Sequence, residues 1–131
     1  MKDEEGNTMN EEKPQDLKVR TKEFALKVIR LYSSLPKSTE AQVIGKQVLR
    51  SGTSVGAQYR EGQRAKSDAD FINKLEGSLQ ELDETAYWLE LLVESKTVTG
   101  EKIESLRKET EELIAIFVTI VTKVKKRTRK N

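Results

Sequence analysis

Apolar residues recur in steps of three and four through most of the chain, and four separate stripes can be traced. The stripes begin near Leu17, Ala41, Phe71 and Ile103. This spacing places the apolar side chains on one face of an α-helix and the charged ones on the other. We therefore expect helices over about residues 18–34, 39–65, 68–95 and 100–125.

Turn and cap signals separate these stripes. Pro36 ends the first helix, because the residue before a proline is pushed out of the helical region. Thr39, with Gln42 three positions on, has the form of a capping box, and Ser67 and Thr99 are candidate caps of the last two helices. Short connections of this kind predict an all-α, antiparallel up-down-up-down four-helix bundle.

The remaining residues form two charged tails in this interpretation. Residues 1–16 are acidic and show no periodicity, so we expect a disordered N-terminal tail. The bundle then covers residues 17–125, and residues 126–131 form a basic C-terminal tail. The chain is a single domain of 131 residues, which is large enough for one core.

Composition removes several classes of function. The chain has no cysteine and no histidine, which excludes disulfides, thiolate metal sites and imidazole catalysis. We expect no cofactor and no bound metal. No apolar run has the length of a membrane span, and the first residues lack the apolar core of a signal peptide. The sequence thus predicts a cytoplasmic protein without a membrane partner.

The net charge of +2 conceals strong segregation along the chain. Residues 18–66 carry net +8 and residues 113–131 carry net +6, whereas residues 67–112 carry net −8 and residues 1–17 carry net −4. One interpretation is a set of solvated helix faces whose opposite charges pair between neighbours. The other is a basic surface, formed by the first two helices and the C-terminal tail, that binds phosphate.

The second interpretation predicts a nucleic-acid-binding protein without catalytic activity. Phosphate contacts by lysine and arginine depend on salt and carry little sequence information. Few aromatic residues lie outside the apolar stripes, so we expect binding of RNA or DNA with low sequence specificity. The candidate binding residues are Lys18, Arg20, Lys22, Lys27, Arg30, Lys46, Arg50, Arg60, Arg64, Lys66, Lys123, Lys125, Lys126, Arg127, Arg129 and Lys130.

Residues 45–71 combine this basic character with poor helix formers. Glycines inside a helix cost roughly 1 kcal/mol each relative to alanine, so either close packing of another backbone or a kink near residues 52–56 should account for them. The polar residues of this stretch are either ordinary surface residues or part of a structural polar network with the third helix. The members of that network are Arg50, Ser54, Glu61 and Glu81.

Carboxylates are the only candidate catalytic groups. Glu81 and Glu84 lie three apart on the third helix, and Glu101 and Glu104 lie three apart on the fourth. Two such pairs on neighbouring helices are the type of ligand set that holds Mg²⁺. A magnesium-dependent nucleotide hydrolase is therefore an alternative function, although glutamates at this spacing are common on any charged helix.

The fourth helix contains more apolar residues than one seam needs. Ile114, Ile116 and Val121, together with Tyr87 and Trp88 on the third helix, either form a second apolar surface for self-association or belong to a wide core face.

A recognisable motif runs through the second and third helices. Its residues are Leu49, Arg50, Ser54, Val55, Glu61, Gly62, Ser67, Phe71, Gly77, Ser78, Leu79, Glu81 and Leu82. Matching positions also include residues 17–19 and the pair Leu35-Pro36. With this motif the chain resembles the family of 23S rRNA intervening-sequence proteins, over about residues 17–121.

The resemblance implies a small bacterial four-helix bundle protein. It also implies kinship with the accessory variability proteins of diversity-generating retroelements, which are basic pentamers that engage nucleic acid and a reverse transcriptase. By that resemblance we expect a homopentamer, and an adaptor for a protein partner such as a reverse transcriptase is the alternative.

Overall fold

The chain forms four α-helices in the computed structural model, which describes residues 14–129. Helix α1 spans Pro14–Ser33, α2 Thr39–Gln63, α3 Asp68–Glu94 and α4 Gly100–Arg129. No strand occurs within residues 14–129. The protein is an all-α four-helix bundle, as its apolar periodicity predicts.

The two outer helices extend further than the apolar stripes indicate. Helix α1 begins at Pro14, where a proline at the first helical position loses no hydrogen bond. Helix α4 continues to Arg129, with three cations in its last turn that interact favourably with the helix dipole. Part of each predicted tail is thus helical, and residues 1–13 and 130–131 lie outside the described part of the chain.

The cap of α2 differs from its prediction by one residue. Ser38, and not Thr39, is the N-cap, and its side chain accepts from the backbone N–H of Ala41. Gln42 donates instead to the carbonyl oxygen of Pro36 at 2.8 Å. Ser67 caps α3 as predicted, accepting from the N–H of Asp70 at 3.1 Å.

The core follows the four stripes and includes a few buried hydroxyl groups. Phe24, Val55 and Leu82 are each at most 1 % exposed. The hydroxyls of Ser51 and Thr85 lie 2.7 Å apart between α2 and α3, and the Ser78 hydroxyl donates to a carbonyl of α2 at 2.9 Å. These pairs satisfy polar groups that would otherwise be costly to bury.

Close packing accounts for the glycines of α2. The helix is continuous over 25 residues. A Cβ atom on Gly52 would lie 2.6 Å from Cγ2 of Val28, and one on Gly56 would lie 3.0 Å from Oγ1 of Thr21. The glycines therefore let α1 approach the backbone of α2, which is the first of the two explanations considered for them.

Contacts between successive helices bring four helix ends together. Early residues of α1 lie on late residues of α2, as in the approach of Thr21 to Gly56. Late α2 lies on early α3 at Gly62 and Leu75, and late α4 reaches early α3 where Arg127 bonds to Asp68. We call this part of the bundle the basic end; it comprises residues 17–23, 54–80 and 115–129. The rest, residues 24–53 and 81–114, is the opposite end.

Candidate nucleic-acid interface

The two ends of the bundle differ strongly in charge. The basic end contains twelve cations and five acids, a net charge of +7, whereas the opposite end contains nine cations and eleven acids, a net charge of −2. Chain folding produces this separation, because the cations come from all four helices and from the turn before α3. A local potential of this size attracts polyanions.

Most candidate cations of the basic end are exposed and take part in no ion pair with other residues of the described part of the chain. They lie on three helices and on the turn between α2 and α3. Such side chains keep their charge available to a phosphate group. The members of this set are Lys18, Lys22, Arg60, Arg64, Lys66, Lys123, Lys126 and Arg129.

Two further cations of the basic end join α4 to α3. The Lys125 ammonium lies 2.7 Å from a carboxylate oxygen of Glu76, and the Arg127 guanidinium lies 3.0 Å from Asp68. All four side chains are about half exposed, so each cation can still meet a phosphate while it is paired.

Arg20 is less available than the sequence suggests. Its guanidinium bonds to both oxygens of Glu109, at 2.7 and 3.1 Å, and to Glu112 at 3.0 Å. The hydrogen bond to Glu109 is the main reason that the pKa of Arg20 is raised. Because this fork of bonds joins α1 to α4, we assign Arg20 a structural role instead of the predicted phosphate contact.

Arg50 is also engaged within the chain. Its guanidinium pairs with Glu84 and, at 3.3 Å, with Glu81 on α3. The predicted association of Arg50 with Glu81 is therefore present, but the side chain of Arg50 is 51 % exposed, so the pair is not buried.

The other two members of the predicted polar network lie outside it. The Ser54 hydroxyl donates to the carbonyl oxygen of Arg50 at 2.7 Å, within its own helix. Glu61 pairs with Lys74 at 2.9 Å, and this bond raises the pKa of Lys74. Glu84, which lies one turn after Glu81 on α3, takes their place. Seven-residue spacing put Ser54 and Glu61 on one face, but the rotation of α2 against α3 decides which side chains meet.

Four of the candidate cations belong to the opposite end. They are Arg50 and the exposed side chains of Lys27, Arg30 and Lys46. Lys130 lies outside the described residues. The described binding candidates are therefore divided between the two ends of the bundle, with most of them at the basic end.

A cavity of about 650 Å³ opens at the basic end, between α2, α3 and α4. Phe71, Ile120 and Val124 supply apolar walls, and Lys66 and Arg127 lie among its lining residues. The buried Tyr59 also lines it, and its ring packs at a tilt of 45° against Phe117 with centroids 5.6 Å apart. Burial raises the pKa of Tyr59 to about 12, so the phenol is neutral at physiological pH and adds no charge to the site.

The two glutamate pairs considered for a magnesium site face different neighbours. Glu81 and Glu84 are bound by Arg50 of α2, whereas Glu101 and Glu104 lie with Lys27 beside the groove of α1 and α4. Within the described part of the chain, no group of three or more acidic side chains has a metal-binding arrangement. The geometry therefore does not assemble the predicted ligand set.

The second apolar surface expected on α4 belongs largely to the core. Val121 is buried, and Ile114, Ile116 and Trp88 are partly buried against the core. Tyr87 alone of the five residues is exposed, at 52 %. The wide-core interpretation is thus correct for α4. The other exposed large apolar side chains are Val19, Leu26 and Ile29 on α1, Val43 on α2 and Val118 on α4.

No helix of the described residues is long and apolar enough to cross a membrane. The fold and its surface define a small all-α bundle whose cations are concentrated at one end.

Comparisons with known proteins place this bundle in a family. The family model described as 23S rRNA-intervening sequence protein matches residues 15–119, and the chain belongs to that family. A crystal structure at 1.70 Å resolution of a protein of the S23 ribosomal protein family from Bacteroides thetaiotaomicron VPI-5482, with unknown function, superposes with a TM-score of 0.75. The two sequences are 43% identical over 79% of this chain and 96% of that chain. No curated protein matches the chain.

Proposed function

We propose that this protein is a non-enzymatic, oligomeric nucleic-acid-binding protein that holds the RNA or DNA backbone at the basic end of the bundle. The observation that carries the proposal is the gathering of twelve cations against five acids by four helix ends. The proposed contacts are the exposed cations of α1, α2 and α4 that form no ion pair within residues 14–129, and the family's relation to rRNA genes agrees with such a ligand.

Phosphate recognition explains this arrangement better than base recognition does. Tyr59 is buried and Tyr32 is partly buried, and the exposed Tyr87 lies at the opposite end. Phe71 of the basic end is partly buried in the wall of the cavity, so the described residues of this end offer no fully exposed ring on which bases can stack. We therefore expect backbone binding that depends on shape and charge and varies little with sequence.

The proposal includes self-association and an alternating helix direction. In each pair of successive helices, late residues of one helix contact early residues of the next. This holds for α1 with α2, for α2 with α3 and for α3 with α4, and it supports an antiparallel up-down-up-down order. The resemblance to pentameric accessory variability proteins supports an oligomer, with five copies as its expected size.

Two charge-reversal variants test the binding surface. The first, Arg60→Glu, Arg64→Glu and Lys66→Glu, changes the basic end. The matched control, Lys27→Glu, Arg30→Glu and Lys46→Glu, changes the net charge equally at the opposite end, and all six side chains are exposed.

Binding of a labelled 20-base-pair RNA or DNA duplex is measured by fluorescence anisotropy at low salt. We expect the basic-end variant to lose at least about tenfold in affinity and the control about threefold or less, since exposed charges are screened beyond roughly 10 Å. Equal losses would show that the basic end is not the binding surface. An absence of duplex binding by the unmodified protein would contradict the proposal itself. If that protein nevertheless bound an acidic protein, the result would favour the adaptor function.

A further inference from the structure

The cavity at the basic end combines apolar walls with positive charge. Its volume of about 650 Å³ lies in the range of sites that hold a small molecule, which is about 300–1,000 Å³. Phe71 of α3 faces Ile120 and Val124 of α4 as the apolar part of the lining, and Lys66 and Arg127 are its cations. The cavity therefore suits a ligand that joins an apolar ring to an anionic group.

The charge balance of this lining favours an anion. Asp68 is the one acid among the lining residues in the described part of the chain, and α4 engages both of its carboxylate oxygens. Arg127 donates to one oxygen at 3.0 Å, and the Thr128 hydroxyl donates to the other at 3.3 Å. Lys66 is exposed and forms no ion pair within residues 14–129, so its charge is available to a phosphate group.

Phe71 gives the cavity a surface for an aromatic ring. The side chain is partly buried, and a base inside a duplex, which is enclosed between two backbones, cannot reach a ring in this position. An unpaired base can leave the stack of its strand and pack against an aromatic side chain. Gln63 is exposed at the same lining, and its amide both donates and accepts hydrogen bonds, so it can meet any of the bases.

We propose that the cavity holds one unpaired nucleotide of the bound nucleic acid. The base lies between Phe71 and the aliphatic side chains of α4, and its phosphate lies at Lys66 and Arg127. This inference rests on the proposed function and names the kind of nucleic acid that the site favours, which is a duplex with an unpaired nucleotide at an overhang or a loop.

The duplex and the unpaired nucleotide use different residues. Lys18, Lys22 and Arg60 are exposed and do not line the cavity, so they remain open to the backbone of the paired region. The walls contact the base through apolar groups, which carry little information about its identity. Occupation of the cavity therefore adds a preference for an unpaired end and leaves the sequence specificity low.

Two RNA ligands of equal charge isolate the contribution of the base. Each is a 20-base-pair duplex with a 3′ overhang of three nucleotides, and in one of the two the overhang is abasic. Both have the same number of phosphates, so a difference in affinity, measured by fluorescence anisotropy, reports the bases alone. We expect the native chain to bind the overhang with bases about tenfold more tightly, as the stacking of one base predicts.

Two tryptophan variants test whether the cavity is the site of this preference. Ala65 is partly buried and lines the cavity, so Ala65→Trp fills it. Ala69 is exposed and lies outside the lining, so Ala69→Trp is the matched control. Circular dichroism melts establish that both are folded. We expect the preference to fall below about twofold in Ala65→Trp and to stay at about tenfold in Ala69→Trp.

Cross-linking of the native chain gives a second measurement that does not depend on any variant. A 5-iodouracil base is placed at the first position of the overhang and irradiated in the complex. Because the base packs against Phe71, we expect mass spectrometry to find the cross-link at that residue.

Three results would overturn the inference and leave the proposed function standing. They are equal affinity for the two overhangs, a preference that the folded Ala65→Trp keeps, and a cross-link confined to residues outside the cavity. Displacement of the RNA by micromolar adenosine monophosphate would overturn it as well, since the cavity would then serve a free nucleotide. Failure of the native chain to bind either RNA would remove the proposed function together with the inference.

Discussion

Gly52 lies so close to Val28 that a Cβ atom on the glycine would be 2.6 Å from Cγ2 of the valine. Both residues are buried, and neither can move outward without opening the contact between α1 and α2. The glycine thus offsets its low helix propensity through packing that no larger residue permits.

Replacement of Gly52 by alanine should therefore lower the free energy of unfolding. Overpacking of a tight core costs about 1–3 kcal/mol, which exceeds the gain of roughly 1 kcal/mol in helix propensity. Urea unfolding followed by circular dichroism measures the change, and a second substitution, Val28→Ala, should recover part of the loss in Gly52→Ala. Gly100→Ala is the control, since its Cβ would lie 3.8 Å from Val93. A more stable Gly52→Ala protein would show that the contact is loose.

The ion pair between Arg20 and Glu109 should be worth more than that between Arg20 and Glu112. Glu109 is 19 % exposed and accepts two bonds from Arg20, whereas Glu112 is 64 % exposed and accepts one. Double-mutant cycles with Arg20→Met and Glu→Gln variants should give a coupling of about 1 kcal/mol for Glu109 and roughly a third of that for Glu112. Equal coupling energies would mean that the second hydrogen bond between Arg20 and Glu109 adds no stability beyond that of a single ion pair.

Tyr59 should make the protein less stable at alkaline pH. Burial raises its pKa to about 12, against about 10 in the unfolded chain. Below pH 10 the phenol is neutral in both states. Between pH 10 and 12 the unfolded state loses the proton first, so the free energy of unfolding falls by about 1.4 kcal/mol for each pH unit.

The variant Tyr59→Phe isolates this contribution from the lysines that titrate in the same range. The difference in unfolding free energy between the native chain and Tyr59→Phe should be constant up to pH 10 and then shrink. A difference that is independent of pH up to 12 would contradict the assignment of the raised pKa to Tyr59.

The helices and the core could be predicted from the sequence because their signals are local. A stripe of apolar residues fixes which side of a helix is buried, and Val48, Val55 and Tyr59 are all buried on α2 as the spacing indicates. The close packing at Gly52 could also be predicted, since four glycines in one helix need an explanation. Helix limits were less certain, because Pro14 and the cations after residue 125 are compatible with either a helix or a coil.

The partners of the charged residues could not be predicted in the same way. Arg20 and Glu109 are 89 positions apart in the chain, and their meeting depends on how α1 and α4 turn toward each other. The net charge of a chain segment likewise does not predict the end of the bundle to which it belongs. Residues 67–112 are strongly acidic, although their first part belongs to the basic end.

The salt dependence of duplex binding tests the account most directly. Each phosphate contact contributes a slope of about −0.9 to a plot of log affinity against log salt concentration for duplex DNA. For the native protein we expect a slope steeper than about −3, and for the variant Arg60→Glu, Arg64→Glu and Lys66→Glu a slope that is shallower by roughly 3. A slope near zero, or one that this variant leaves unchanged, would contradict a phosphate-binding surface at the basic end.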